Sequence, residues 1–262
     1  MSESVVLCEG FHDRAFWAGW LEHLGCTNLG QASGNTGRIV VTDPSGNRVT
    51  GGQFAFRSAS DKFVRLVPCR GDARRVRRKA RLRLDEERQR FQQEASTPRL
   101  TRLVLNVDTD VDVVDTSAKT GFRLQDLGSL VDELDPSATN NEQGDFLLFD
   151  RRTTVSLVRW EAAGDATDGV PSQQTLERLV CSALMAAYSD RGPAVQQWLD
   201  GRPAGSAPGP KEFAWSYMAG WYAKFGCEGF YKELWRDDPV AEHLKVRLKE
   251  SGAWRVAEAL AE

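Results

Sequence analysis

Two short apolar runs in this chain of 262 residues are each followed by a pair of acidic residues. The first run, VVLC, precedes Glu9 and Asp13, and the second, LVL, precedes Asp108 and Asp110. Residues i and i+2 of a strand point the same way, so the two aspartates repel each other unless a cation lies between them. A half-buried carboxylate needs a partner, which is a Lys or Arg side chain, a helix N-terminus or a metal ion. Four carboxylates together form an all-oxygen site that suits one or two Mg²⁺ or Mn²⁺ ions.

The elements around these acids alternate between strands and helices over the first 160 residues. Val5–Cys8 predicts a buried strand, Arg14–Leu24 a helix with an apolar face, and Leu103–Leu105 the core of a second buried strand. This alternation predicts an α/β fold with a mainly parallel sheet flanked by helices. Ligands of such sheets bind beyond the carboxyl ends of the strands, so we expect the two acidic pairs to share one edge.

The remaining pattern predicts an insertion and a helical extension. Residues 36–57 predict a β-hairpin with its turn at 43–47. After the Pro-, Gly- and Ser-rich stretch 200–210, nine aromatic residues at helical spacing predict a hydrophobic core rather than a base-stacking surface. We therefore predict an α/β domain over residues 1–190, with a helical, aromatic-rich extension over 191–262 packed on it. Other predicted helices span 72–94, 126–134, 175–188 and 193–199, and other predicted strands span 63–67, 144–150 and 154–160.

Composition limits the classes of protein and of site. The five cysteines are widely spaced and there are three histidines, which argues against a disulfide framework, a structural zinc site and imidazole-rich metal chemistry. We expect a reducing compartment, the cytoplasm. No apolar run approaches the roughly 20 residues that span a bilayer, so no membrane association is expected.

A basic segment stands out against the net charge of −3. Residues 70–83 contain eight basic residues and one acid. One interpretation is the solvated face of a helix, and the other is a helix that contacts the phosphates of a nucleic acid. The residues predicted to make such contacts are Arg74, Arg75, Arg77, Arg78, Lys79 and Arg81.

The segments VVLCEGFHDRAFW and LVLNVDTDVD resemble the two motifs of the Toprim domain, over roughly residues 4–185. The pattern is most similar to that of small OLD-like Toprim nucleases. The resemblance implies a Toprim-like (Rossmann-like) fold and gives Glu9 the role of general acid/base or metal ligand. It also implies that Asp108 and Asp110 bind Mg²⁺ and that Asp13 is the second acid of the nuclease-type members. After the D-x-D the chain departs from the family pattern, since Asp112 adds a third acid.

Two further residues are candidates by the same resemblance. Glu177, in the first turn of a predicted helix, would be a second-metal ligand, or an acid that suits the helix dipole. Lys211, at another predicted helix start, would lie near the scissile phosphate, or simply face solvent.

These observations predict a metal-dependent nuclease that hydrolyses phosphodiester bonds, with DNA favoured over RNA. The alternative from another class is a non-catalytic Toprim-like module that binds nucleic acid or a partner protein through the aromatic C-terminal helices. Nucleotidyl transfer, as in primases, is a third hypothesis. A protein partner or a homodimer is compatible with each, and a role in phage defence or DNA repair rests on analogy alone.

Overall fold

A computed structural model of the chain describes residues 2–29, 40–42, 46, 48–50, 54–93, 98–115, 122–203, 206–221 and 226–262; for residues 40, 41, 49, 50, 220 and 221 it describes the backbone. The described strands are β1 (Glu3–Cys8), β2 (Thr27–Asn28), β3 (Val40–Thr42), β4 (Arg48–Thr50), β5 (Phe54–Arg57), β6 (Phe63–Pro68), β7 (Leu100–Asp108), β8 (Thr139–Asn140), β9 (Phe146–Leu148) and β10 (Thr153–Trp160). The described helices are α1 (Phe11–His23), α2 (Ala73–Gln92), α3 (Leu124–Leu134), α4 (Leu176–Ala187), α5 (Arg191–Asp200), α6 (Pro210–Trp221), α7 (Gly226–Arg236), α8 (Asp238–Glu250) and α9 (Ala253–Ala261).

The contacts divide the chain into two compact units. Unit 1 comprises Met1–Val107, Phe122–Val158 and Arg255–Glu262, and unit 2 comprises Asp108–Gly121 and Arg159–Trp254. The predicted division at residue 190 is a different one, since residues 108–121 and 159–190 group with unit 2 and residues 255–262 with unit 1. Within unit 1, Arg255 of α9 forms an ion pair with Asp145 at 2.7 Å.

The centre of unit 1 is an eight-stranded sheet in the order β2-β5-β6-β1-β7-β10-β9-β8. β1 pairs in parallel with β6 on one side and with β7 on the other, and Cys8 lies opposite Asn106 of β7. Toward the rims, β5 pairs antiparallel with β6, and β9 with β10. The α/β fold and the parallel centre are as predicted, whereas β5 and β9 toward the rims pair antiparallel with their inner neighbours.

The sheet is covered by helices on both faces. α2 and α3 bury an apolar stripe, which includes Val76 and Leu127, against Leu7 and Leu105 of the central strands. α1 packs against β1 and β6 and contributes fully buried side chains, among them Trp17. Spacing of apolar residues at three and four positions produces these buried helix faces. The central strands are therefore held rigidly from both sides.

Unit 2 is largely helical, with α4 at its centre. α4 contacts α5, α6 and α8, and every residue from Leu176 to Leu184 is buried. The predicted aromatic core is confirmed at five positions, whereas Trp215 is exposed, and the side chains of Trp221, Tyr222 and Phe225 lie outside the described residues. The five buried aromatic residues are Phe213, Tyr217, Phe230, Tyr231 and Trp235.

The predicted insertion is a small hairpin. β3 and β4 pair antiparallel, with Val41 opposite Val49. The hairpin is shorter than the predicted 36–57, because Phe54–Arg57 pairs with β6 as part of the main sheet. Most of the predicted turn, residues 43–45 and 47, lies outside the described residues. None of the helices in the described ranges is both long enough and apolar enough to cross a membrane.

Candidate functional site

Glu9 directly follows β1 and is half-buried in unit 1. Its N–H donates to the carbonyl oxygen of Asn106 at 3.0 Å, and its carbonyl accepts from the N–H of Gly71 at 2.6 Å. These two bonds tie Glu9 to the end of β7 and to the loop that leads into α2. Burial raises the pKa of the nearby Cys69 thiol to about 11, and the negative charges of Glu9 and Asp13 add to that rise. The carboxylates of Glu9 and Asp13 therefore both lie close enough to the Cys69 thiol in unit 1 to influence its pKa.

Asp13 is buried in the first turn of α1, where it caps the helix. Its Oδ2 accepts a hydrogen bond from the N–H of Gly10 at 2.7 Å. A Cβ atom at position 10 would lie 3.0 Å from the same oxygen, so the glycine of the E-G pair permits this close approach. One oxygen of Asp13 thus has a structural partner, and this limits the way in which the carboxylate can face a ligand.

Asn106, which was not predicted as a site residue, anchors the end of β7 that precedes the D-x-D. It is fully buried in β7, where its Oδ1 accepts from the indole N–H of Trp17 at 3.0 Å and its amide donates to the carbonyl of Val158 at 3.3 Å. A buried amide stays in a core only when it is hydrogen-bonded. Its presence inside the apolar run LVLNV was the signal available in the sequence.

Asp108 ends β7 and lies at the amino terminus of α4 within unit 2. Its Oδ1 accepts from the backbone N–H of Leu176 at 3.1 Å, beside the helix cap Thr175. A carboxylate there satisfies a helix N–H and interacts favourably with the helix dipole. The helix N-terminus, one of the three partners expected for such an acid, is therefore found at Asp108.

Asp110 and Glu177 lie close enough in unit 2 for their charges to interact. Partial burial and then the charge of Glu177 raise the pKa of Asp110 above its ordinary value of 3.8. Asp110 has φ +55°, in the left-handed region, and Glu177 is buried in the first turn of α4. Within the described part of the chain, neither carboxylate has a cationic side chain within 4.0 Å. Two oxygen ligands of this kind fit a divalent cation in charge and donor type.

The described acids do not form a cluster of three or more metal ligands. In the described ranges, no group of three or more His, Cys, Asp or Glu side chains is close enough to hold a metal ion. Glu9 and Asp13 belong to unit 1, and Asp108, Asp110 and Glu177 to unit 2. The structure thus brings together Glu9 with Asp13, and Asp110 with Glu177.

Gln174 holds the backbone of the D-x-D segment. Its carbonyl accepts from the N–H groups of Thr109 and Asp110, each at 3.2 Å, and its N–H donates to Val111 at 2.8 Å. Its side-chain amide forms two further bonds with the backbone of Ala162, at 2.8 and 3.0 Å. Gln174 therefore joins the D-x-D to the loop that precedes α4.

Arg178 fixes that loop from inside. Its guanidinium is fully buried and donates to the carbonyls of Ala162 at 3.2 Å, Gly164 at 2.6 Å, Asp165 at 3.3 Å and Pro171 at 2.8 Å. Burial lowers the pKa of Arg178. Arg178 was not predicted as a functional residue, although a charged residue within the apolar run of α4 was a visible signal.

Asp112, the third acid after β7, has a structural role. Its Oδ2 accepts from the hydroxyl of Ser172 at 2.7 Å, and its Oδ1 accepts from the N–H groups of Val114 at 2.8 Å and Asp115 at 3.2 Å. These bonds, the one from Ser172 first, lower the pKa of Asp112. These hydrogen bonds explain why the chain has a third acid here: Asp112 stabilises the turn that follows β7.

Two of the six basic residues predicted to contact phosphates form side-chain hydrogen bonds of about 3 Å within unit 1. Arg81 donates to both carboxylate oxygens of Glu133 on α3, at 3.1 and 2.5 Å. The Lys79 ammonium donates to the carbonyl of Pro68 at 2.9 Å. Both side chains hold α2 in place.

The other four basic residues of α2, which are Arg74, Arg75, Arg77 and Arg78, are exposed. Arg75 has a long contact, 3.9 Å, with the helix cap Asp72. For the other three, no ion pair is formed with any residue that the structure describes. Positions 74, 77 and 78 have the spacing of one helix face, so they form a cationic stripe.

Lys211 is exposed in the first turn of α6. Within the described part of unit 2, no hydrogen bond or ion pair joins it to Asp108, Asp110 or Glu177. Its neighbour Glu212 forms the local contacts instead, accepting from Gly209 at 2.6 Å and pairing with Arg202 at 3.0 Å.

Comparison with known proteins gives a fold likeness. No family model matches the chain, and no curated protein matches it. The chain is similar to the crystal structure of a hypothetical protein from Pyrococcus horikoshii OT3, with a TM-score of 0.68, 12% sequence identity and 100% of both chains covered. At this identity the likeness shows the fold alone.

Proposed function

We propose that this chain is a Toprim-like, Mg²⁺- or Mn²⁺-dependent nuclease that hydrolyses phosphodiester bonds in DNA or RNA. The observation that supports it most is the pairing of the two strands that carry the motifs. β1 and β7 are adjacent and parallel, with Cys8 opposite Asn106. Glu9 follows the first of these residues directly, and Asp108 follows the second by two positions.

By the Toprim resemblance, Asp108 and Asp110 would bind Mg²⁺ or Mn²⁺, Glu9 would be a general acid/base or metal ligand, and Asp13 and Glu177 would be further ligands. A bound divalent cation would neutralise charge on the scissile phosphate and activate a water molecule. Glu9 would transfer a proton as general acid or base, which requires a carboxylate within hydrogen-bond reach of the reacting group. By the same resemblance, Lys211 would offset negative charge on the phosphate.

The position of α2 supports a nucleic acid as the substrate. The hydrogen bond from Gly71 to Glu9 places the start of this helix beside the proposed general acid/base. From there the cationic stripe of Arg74, Arg77 and Arg78 extends along the helix surface. A phosphate backbone bound to that stripe would be guided toward Glu9.

A cleavage assay tests the proposal. We expect cleavage of at least one of supercoiled plasmid, linear duplex, single-stranded DNA and RNA with Mg²⁺ or Mn²⁺, and none with EDTA. The products on each substrate would identify the nucleic acid and the mode of attack. If no substrate is cleaved but nucleic acid is still bound, the non-catalytic module replaces the nuclease as the better hypothesis.

Reversing the charge of Arg74, Arg77 and Arg78 to Glu should flatten the salt dependence of nucleic-acid binding. Each phosphate contact contributes roughly 0.9 to the slope of log K against log salt, so three contacts predict a slope smaller by about 2–3. Fluorescence anisotropy at several salt concentrations measures that slope.

A matched triple variant, Arg236, Lys245 and Lys249 to Glu, changes the net charge equally within unit 2. It should leave the slope close to that of the wild type. Equal slopes for the two triple variants would show that α2 makes no specific phosphate contacts.

A further inference from the structure

An exposed aromatic ring lies at the start of α1, two residues after Glu9. Phe11 is 45% exposed, although it begins a helix whose next turns are almost entirely buried. A single exposed apolar side chain is ordinary, so what distinguishes Phe11 is its position beside Glu9 and the contacts of its ring.

The ring is held in place by a cation. The guanidinium carbon of Arg14 lies 4.3 Å from the centroid of the Phe11 ring and 4.3 Å from that of Phe54. Arg14 is 3% exposed and Phe54 8% exposed, so the exposed ring rests on a buried cation and a buried ring. Cation–π stacking restrains the orientation of the ring before any ligand arrives. Such preorganisation lowers the entropy cost of binding.

We propose that Phe11 is a stacking platform for an unpaired nucleobase of the substrate, next to Glu9 and Asp13. This inference rests on the proposed nuclease function and specifies its substrate as a single-stranded segment or a frayed end. A ring stacks on a base only when the base face is free, as it is in single strands and not inside a duplex. The cationic stripe that begins near Glu9 would contact the phosphates of the same strand.

The test is a titration with a single-stranded oligonucleotide containing 2-aminopurine, whose fluorescence is quenched when the base stacks. Ca²⁺ replaces the catalytic ion so that cleavage does not interfere. Phe11→Ala and Phe11→Leu should each weaken binding about tenfold and reduce quenching, whereas Phe11→Tyr should behave like the wild type. Binding of a blunt, fully paired duplex should change by less than twofold. Trp198→Ala is the control, since it removes another exposed aromatic residue, on α5.

The outcomes separate this inference from the proposed function. Wild-type cleavage with unchanged single-strand affinity in Phe11→Ala would overturn the stacking platform and leave the nuclease. Equal losses in the Ala, Leu and Tyr variants would assign Phe11 a structural role and overturn it as well. A wild-type protein that neither binds nor cleaves nucleic acid would overturn both.

Discussion

Replacing Asp110 by Asn should lower the rate of nucleic-acid cleavage roughly 10³-fold while raising the thermal midpoint of the metal-free protein. The loss is expected because a cation held by carboxylates supplies several kcal/mol of charge stabilisation, and each 1.36 kcal/mol is about tenfold in rate. The gain in stability is expected because Asn removes the repulsion between position 110 and Glu177. Asparagine also tolerates the left-handed backbone at φ +55°. Initial rates and calorimetry with and without Mn²⁺ measure both effects.

The direction of the stability change follows from the pKa. The folded-state pKa of Asp110 lies above its ordinary value of 3.8. Between these two values the folded protein keeps a proton that the unfolded chain has released, so stability falls as the pH rises through that window. At neutral pH the penalty is complete, and Asn removes it. Because Asp110 is only partly buried and more than a third of it remains exposed, we expect a rise of only about 1–3 °C. Wild-type cleavage should increase with pH through the same window, since the ionised carboxylate is required.

Asp108→Asn is the matched control. Its amide oxygen can still accept from the N–H of Leu176, but the favourable charge at the start of α4 is lost. Cleavage should fall as far as in Asp110→Asn, whereas the thermal midpoint should fall slightly rather than rise. Mn²⁺ should raise the midpoint of the wild type alone. Full activity in either variant would contradict the proposed site.

The parts of the fold that were predictable depend on local sequence. VVLC and LVL form the central strands because apolar runs of this length are buried in a sheet. The acids that follow each run in the sequence then lie at or just beyond the carboxyl ends of these strands. The direction of the rim strands was not predictable, since β5 and β9 are short and their partners are chosen by tertiary contacts. The aromatic core of unit 2 was predictable from helical spacing.

The candidate site was predictable in its acids but not in their environment. The residues around Asp108 in the sequence do not predict its hydrogen bond from the N–H of Leu176, which lies 68 positions later. The same is true of Gln174, whose backbone holds the D-x-D, and of Asn106, whose partners come from α1 and β10. Sequence spacing shows which carboxylates share a strand, whereas their partners depend on packing between distant segments.

Replacing Arg178 by Met should destabilise the protein by about 3–5 kcal/mol. Methionine fills a similar volume, but the buried carbonyl of Pro171 loses its donor, and the charged donors to Ala162 and Gly164 are lost as well. Hydrogen bonds to charged groups contribute about 1.5–3 kcal/mol each, and the carbonyl of Ala162 keeps its bond from Gln174. Urea unfolding measures the loss as a lower midpoint with an unchanged slope. The same substitution at Arg236, which is exposed and pairs with Glu233 at 2.6 Å, should cost less than about 0.5 kcal/mol.

The loss of hydrogen bonds in Arg178→Met should also loosen the D-x-D segment, because Arg178 and Gln174 share Ala162 as a partner. With the loop loosened, the N–H groups of Thr109 and Asp110 should exchange with solvent faster, under conditions in which Arg178→Met remains folded. Arg178→Lys, which keeps the charge but offers fewer donors, should lie between the wild type and Met in both measurements. A lower unfolding midpoint with unchanged exchange at Thr109 and Asp110 would restrict Arg178 to stabilising the loop. Faster exchange there would make it a residue that positions the proposed metal ligands.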